Sequence, residues 1–263
     1  SICRIPFFAT ITGLGMAIEN GGIMQRLLVI MYKVAFLKVK NIFLQNQENA
    51  TFFVDNRIGN GKHIILPGSG VNLSHFSYVP YPSDSDGITF ITVGRIMQVK
   101  GTDELIEAAK IIRQTHPEVT FYLIGFYDED YQEKVEKAVN EGIVRHIEQQ
   151  MDVRPYYEKC HAIIHPGHYE GMSNVCLEAA AIGRPILASR IHGCIETFDE
   201  GKSGLSFSPE NVDNLVKTIE KFISLSNGER AEMGMNGRKK MEDEFDREKV
   251  VDTYMRVISN AGV

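Results

Sequence analysis

Residues 168–189 read HYEGMSNVCLEAAAIGRPILAS, and the way this stretch folds decides the rest of the chain. Ahead of it, the apolar run Ala162-Ile163-Ile164 predicts a strand, ended by His165-Pro166-Gly167. Gly171-Met172-Ser173-Asn174 has the composition of a helix start, with Ser173 or Asn174 as N-cap. Ala179-Ala180-Ala181 continues the helix, and Gly183-Arg184-Pro185 stops it. Ile186-Leu187-Ala188 is then the next short strand. Strand, loop, helix, turn and strand in succession make the repeating unit of a parallel sheet, so the fold class is α/β. Ligands of such sheets sit at the carboxyl ends of strands, beside helix N-termini.

Two carboxylates, Glu170 and Glu178, follow the first strand eight positions apart. Glu170 falls in the loop at the strand's carboxyl edge. Glu178 falls in the first turns of the helix and is expected to face the same crevice. Between them, the backbone N–H groups of Gly171, Met172, Ser173, Asn174 and Val175, together with the helix dipole, favour an anion. Carboxylates beside a phosphate would repel it, so the two glutamates need donors such as hydroxyls. The arrangement points to a nucleotide-sugar, with diphosphate on the amides, sugar near Glu170 and ribose near Glu178.

The E-x7-E segment from Glu170 to Glu178, followed by Ala179 and by Gly183-Arg184-Pro185, resembles family 4 glycosyltransferases. That resemblance implies the GT-B fold, with two doubly wound, parallel-sheet (Rossmann-like) domains, and a retaining reaction. A second stretch agrees with it. Strand Ile88–Val93 ends at Gly94-Arg95, and Lys100-Gly101-Thr102 leads into a helix, Glu104–Gln114, capped by Thr102 or Asp103. One loop thus carries both Arg95 and Lys100 at the carboxyl edge. This Gly-Arg…Lys-Gly pair is similar to the family's phosphate-binding motif, which implies that role for Arg95 and Lys100. Gly125, closing the strand Val119–Gly125, matches a family glycine near the nucleotide, and Gly193 matches one beside the donor. Thr12-Gly13-Leu14-Gly15 resembles an acceptor-side loop of relatives that extend lipid-linked oligosaccharides. Many relatives carry a histidine where Thr12 stands, so no catalytic base is assigned here.

The resemblance runs from Pro6 to the end and is strongest over Ile88–Phe207. It implies a domain plan: 1–66 as the C-terminal part of the acceptor-side domain, 67–86 as a linker, 87–245 as the nucleotide-sugar domain, and 246–263 as a helix crossing back to the first domain. The chain opens at Ser1, almost directly in a strand, and the expectation is that most of an N-terminal domain is missing.

The remaining elements follow in order. Pro6–Ile11 predicts a strand, Ile23–Lys40 a helix, Asn41–Gln45 a strand, Gln47–Asp55 a helix and His63–Leu66 a strand. Helix 23–40 carries only positive charges, Arg26, Lys33, Lys38 and Lys40. Two readings stay open for it: a surface for anionic headgroups, or a helix packed on the sheet with its lysine tips reaching water. Asp128-Glu129-Asp130 reads as the start of a helix to Glu141, not as a metal–diphosphate motif, and Asp84-Ser85-Asp86 is rejected as a metal motif too. Val144–Ile147 predicts a strand and Val153–His161 a short helix. His161, His165 and His168 have helical metal-ligand spacing, but strand and turn break that face, so His165 or His168 is expected to border the donor pocket instead. Gly201-Lys202-Ser203-Gly204 reads as a turn, and three helices, Asn211–Leu225, Gly228–Glu244 and Arg247–Ala261, close the chain.

Composition sets the outer bounds. The chain has 263 residues, 43% hydrophobic and 9% aromatic, as in an ordinary globular protein. A net charge of −6 argues against a general nucleic-acid binder. Four cysteines, Cys3, Cys160, Cys176 and Cys194, form no CxxC pair and read as reduced, buried thiols. The expected function is a retaining glycosyltransferase, moving a hexose or N-acetylhexosamine from a UDP-sugar to a saccharide or lipid-linked saccharide acceptor in cell-surface polysaccharide synthesis. Glu170, Arg95 and Lys100 would carry the chemistry, with no metal and no cofactor beyond the donor. The expected location is cytoplasmic, with peripheral contact at the inner face of the membrane. The rivals are a UDP-sugar epimerase of the same fold and a nucleotide-binding module without turnover.

Overall fold

The computed structural model describes residues 6–15, 18, 21–128 and 130–260. Cys3, Glu129 and Ala261 lie outside the described residues. Among the described residues there are two all-parallel sheets, one of three strands and one of six. The first runs β1 (Ala9–Ile11), β2 (Ile42–Leu44), β3 (His63–Ile65), with Ala9 opposite Ile42 and Ile42 opposite His63. Helices α1 (Gly22–Ala35) and α2 (Gln47–Asp55) make its crossovers. Their inner faces build a core from Val29, Phe36, Val39, Ile42, Leu44, Phe53 and Ile58.

The second sheet contains β4 (Thr89–Val93), β5 (Thr120–Ile124), β6 (Arg145–Ile147), β7 (Ala162–His165), β8 (Ile186–Ser189) and β9 (Gly204–Phe207), in the order β6-β5-β4-β7-β8-β9. Helices α3 (Thr102–Thr115), α4 (Gln132–Asn140), α5 (Arg154–Lys159), α6 (Asn174–Ile182), α7 (His192–Ile195), α8 (Val212–Ile223) and α9 (Asn227–Glu244) follow in turn. Alternation along the strands sends side chains to opposite faces. Phe90 and Phe121 meet Leu105, Ile112 and Phe222 on one side; Ile91 and Ile163 meet Tyr157, Leu177 and Met241 on the other. Burial on both faces explains why the strands read as nearly continuous apolar runs. The strand order reverses between β4 and β7, which opens a crevice at their carboxyl ends.

The two sheets are tied by the chain's last helix. In α10 (Arg247–Asn260), Val250, Tyr254 and Val257 pack on Phe43 and Leu66 of the first sheet's outer side. The Tyr254 and Phe43 rings stand 4.3 Å apart, and the Tyr254 hydroxyl lies 3.0 Å from Thr10 Oγ1. Arg184, fully buried, holds the segment between the sheets on the second. It donates to the carbonyls of Val79 and Pro80 in the segment between the sheets, and of Tyr157 and Glu158 on α5. Carbonyl partners are what makes burial of that cation tolerable.

Several expected boundaries move. β1 starts at Ala9, not Pro6. α1 ends at Ala35, not Lys40, because the chain turns at Phe36 and carries Val39 into the core. α4 starts at Gln132, not Asp128: Tyr127 forms a bridge with Ile96, and Asp128 N donates to Ile96 O. Thr102 does not cap α3 but lies inside it, its hydroxyl bonded to Met97, while Gly101 caps at φ 70°. A Cβ at Gly101 would also strike Pro166 O. β9 was not foreseen, since Gly204-Leu205-Ser206-Phe207 lacks the β-branched signature of an interior strand. Asp84, in a short 3-10 turn, pairs with Arg230. Cys160, Cys176 and Cys194 are buried free thiols.

Phe43→Ala removes the ring that β2 offers to Tyr254, at a site 1% exposed. The expected loss is about 3–5 kcal/mol of local stability. Hydrogen exchange should report it as lost protection in β1–β3, with β4 and β5 unchanged; equal loss in both sheets would contradict the packing described.

Candidate active site

At the point of strand reversal, the loops after β4 and β7 and the N-terminus of α6 enclose a cavity of about 270 Å³. Gly94, Arg95 and Lys100 come from the first loop; Glu170, Met172 and Ser173 come from the second, and Asn174 and Val175 from the first turn of α6. Ser173 caps α6, its Oγ accepting from Cys176 N at 3.3 Å. That fixes the helix start, so its first amides open toward the crevice.

The electrostatics centre on Glu170. Its Oε1 pairs with Lys100 Nζ, both side chains about four-fifths buried. His165 Nε2 donates to the same oxygen at 3.1 Å and stands 3.3 Å from Ser173 Oγ. Burial alone would raise the Glu170 carboxyl; His165 and Lys100 outweigh it and hold it down at about 2. Burial likewise opposes the His165 cation, but the facing Cys176 and Glu170 raise its pKa. His165 Nδ1 is buried without a partner among the described residues. The other cation of the loop, Arg95, is exposed and bonds Asp128 Oδ2 at 3.2 Å. Each cation assigned to phosphate is therefore matched to a carboxylate in this state.

Glu170 also lines a second cavity, of about 280 Å³, with Thr12, Gly13, Gly15, Asn46, Tyr169 and Gly171. Here the first sheet's loop touches the second sheet's loop. A Cβ on Gly171 would fall inside contact distance of Thr12 O and Gly13 Cα. A Cβ on Gly193 would strike Glu170 O from behind. These glycines let three backbones meet around Glu170. A third space, of about 240 Å³, shares Val93, Gly94 and Arg95 with the first and adds Gly125 and Val153.

The structure thus brings Gly94, Arg95, Lys100, Glu170, Met172, Ser173, Asn174 and Val175 together on one cavity, with Gly125 next door and Gly171, Thr12, Gly13 and Gly15 on the far side of Glu170. Glu178 lines none of the three. It sits in the second turn of α6, where Tyr157 OH donates to its Oε2 at 3.2 Å, and burial raises its pKa against the opposing effects of Tyr157 and Arg247. The three histidines separate: His161 accepts from Thr89 N, His165 serves Glu170, and His168 bonds Glu104. Of the last two, His165 borders the cavity. Sequence reasoning missed Asp128 as the partner of Arg95, and Asn46, which caps α2 and donates to Gly171 O at 2.5 Å. Asn46 was within reach: it is a capping residue at the carboxyl end of a parallel strand, like Ser173.

The depressed Glu170 carboxyl predicts an acid limb. Its contribution to stability is complete above pH about 4.5 and is lost as the pH falls through about 2. Glu170→Gln should flatten that part of an acid unfolding titration followed by circular dichroism; an unchanged curve would mean the pairing is not felt.

Comparison with known proteins agrees with this geometry. The family model described as glycosyl transferases group 1 matches residues 79–240. A Campylobacter jejuni N,N'-diacetylbacillosaminyl-diphospho-undecaprenol alpha-1,3-N-acetylgalactosaminyltransferase is 25% identical over 236 residues, covering 84% of this chain and 62% of that protein. The capsular polysaccharide biosynthesis glycosyltransferase CapM of Staphylococcus aureus is 29% identical, over 61% of this chain and 43% of its own length. The chain thus spans about half the length of the curated relatives it matches. Among solved structures, Anabaena Alr3699/HepE in complex with UDP superimposes with a TM-score of 0.85 at 19% identity, over 98% of this chain and 73% of that one. The shared fold is that of GT-B glycosyltransferases. With its matched region spanning the second sheet, the cavity at the strand reversal and both charged loops, the chain belongs to the glycosyl transferases group 1 family.

Proposed function

We propose that this chain carries the donor side of a retaining glycosyltransferase of the family 4 kind, using a UDP-sugar and a saccharide acceptor in cell-surface polysaccharide synthesis. The carrying observation is the meeting of Arg95, Lys100, Glu170 and the α6 N-terminus on one cavity, with Glu170 shared by a second. Supporting it, relatives are named as transferases of lipid-linked, capsular and lipopolysaccharide synthesis, and a fold neighbour is complexed with UDP. On this reading, residues 67–86 link an acceptor-side unit to a donor unit of residues 87–245.

The mechanism follows from an exchange of partners. The donor's diphosphate takes Lys100 from Glu170 and Arg95 from Asp128, and its oxygens face the amides of Gly171–Val175. Glu170, released from Lys100, accepts a hydroxyl of the donor sugar, and Glu178 is the candidate for ribose hydroxyls beyond the α5–α6 seam. The bond from the anomeric carbon to the diphosphate breaks as the acceptor oxygen attacks on the same face from the Thr12–Gly15 side. The acceptor's proton passes to a phosphate oxygen of the leaving UDP. Charge builds on that diphosphate, where two cations and fixed amide dipoles meet it. The reading therefore asks for no metal and no protein base.

Charge-assisted contacts are worth about 1.5–3 kcal/mol each. Lys100→Ala should weaken UDP binding by about ten- to a hundredfold in calorimetry. Glu170→Gln should behave oppositely, because it frees Lys100: UDP binding holds or tightens while transfer falls. No heat at millimolar UDP would sink the donor assignment. Labelled sugar that enters no lipid extract, while free UDP accumulates, would favour an epimerase over a transferase.

A further inference from the structure

We infer that α1 is an interfacial helix whose exposed face docks on an anionic lipid surface. The helix has two apolar faces. Val29 and Tyr32, with Phe36 at the helix's C-terminal cap, pack inward on Phe53 and the first sheet. Ile23, Leu27, Ile30 and Val34 point the other way, at 86%, 51%, 59% and 63% exposure, and Leu37, in the turn after the helix, is 69% exposed. At about 100° per residue, this second stripe is centred about 160° around the axis from the first. The neighbours of a crossover helix lie beneath it, in the sheet, and beside it, in the same layer. Its top faces neither. So the outer stripe is left uncovered by the described residues, and it is a continuous patch rather than scattered residues.

Charge selects the occupant. Residues 21–47 hold Arg26, Lys33, Lys38 and Lys40 and no acidic residue, in a chain whose net charge is −6. All four cations are exposed. Arg26 and Lys33 flank the outer stripe on one side, and Lys38 and Lys40 follow its end. Among the described residues none of the four forms an ion pair. An apolar stripe edged by cations alone is the chemistry that lies in the headgroup layer of an anionic bilayer. At 14 residues, about 21 Å, α1 is too short to cross one. Among the described residues no helix is long and apolar enough to do so. A second copy of this chain would have to bring four cations against four, which disfavours a symmetric pairing.

The placement also bears on the acceptor. Gly15, on the second cavity, and Gly22, the first residue of α1, are seven positions apart, and Gln25 Nε2 anchors the helix to Ile18 O at 2.9 Å. A docked α1 brings that cavity to the headgroup layer, where a lipid-linked saccharide presents its sugar. That last step rests on the transferase reading; the docking itself does not.

Co-sedimentation of this chain with vesicles tests it without any activity. Phosphatidylglycerol vesicles should carry the chain down at low salt, and phosphatidylcholine vesicles much less. Leu27→Glu with Val34→Glu should lower the bound fraction about tenfold or more, with UDP calorimetry and circular dichroism unchanged. Lys33→Gln with Lys38→Gln should remove the anionic preference and the salt dependence. The inference is overturned if phosphatidylglycerol vesicles leave the chain in the supernatant, or if the two glutamates leave binding intact. It is overturned equally if sedimentation equilibrium finds a dimer that the glutamates dissolve, which would give the face to a second copy.

Discussion

A lysine on the loop after β4 and a glutamate on the loop after β7 meet across the point where the strand order reverses. Neither could be left buried at about four-fifths without the other. Their ion pair fixes the distance between two loops that the sheet alone holds only at the strand ends. His165, at the end of β7, gives the same carboxylate a second bond and reaches the Ser173 cap of α6. One oxygen thus ties β4, β7 and α6 into a single rim. The cavity's polarity follows, because the cations on its wall are held in place by carboxylates.

Beside Glu170, the two sheets meet chiefly through backbone. Gly171 lies against Thr12 and Gly13, and Asn46 donates to the Gly171 carbonyl. Farther off, the aromatic contact of Tyr254 with Phe43 joins the last helix to the first sheet, and Arg184, drawing five carbonyls about itself, holds the segment before β4 on the second. Glu170 therefore looks into two cavities, one in the second sheet alone and one shared with the first. Glu178 borders neither cavity, so the two glutamates of the E-x7-E segment sit in different surroundings.

The parallel sheets, the crevice at the carboxyl edge and the grouping of Arg95, Lys100 and Glu170 were all legible in the chain. Apolar runs separated by glycine and capping residues encode strand ends and helix starts locally, and the topology of such units then places every loop of one kind on one rim. Gly183-Arg184-Pro185 was legible as a helix stop, but not as a buried tie, since the partners of Arg184 lie up to 105 positions away. Asp128 was read as a helix start because acidic residues suit one; its partner Arg95 is 33 positions earlier.

By itself, then, the sequence determined the class of fold, the rim at the strand ends, and three of the charged side chains on it, Arg95, Lys100 and Glu170, because these depend on periodicity and capping within a few residues. Tertiary structure alone decided which partner each charge takes. Glu178 has the spacing of a second site carboxylate, yet the fold gives it Tyr157; Lys100 has the look of a free cation, yet the fold gives it Glu170. Only the fold, too, showed that α1 has an apolar face turned away from its sheet, because exposure depends on what the rest of the chain covers. Pairing and burial are properties of distances across the molecule, and no local pattern contains them.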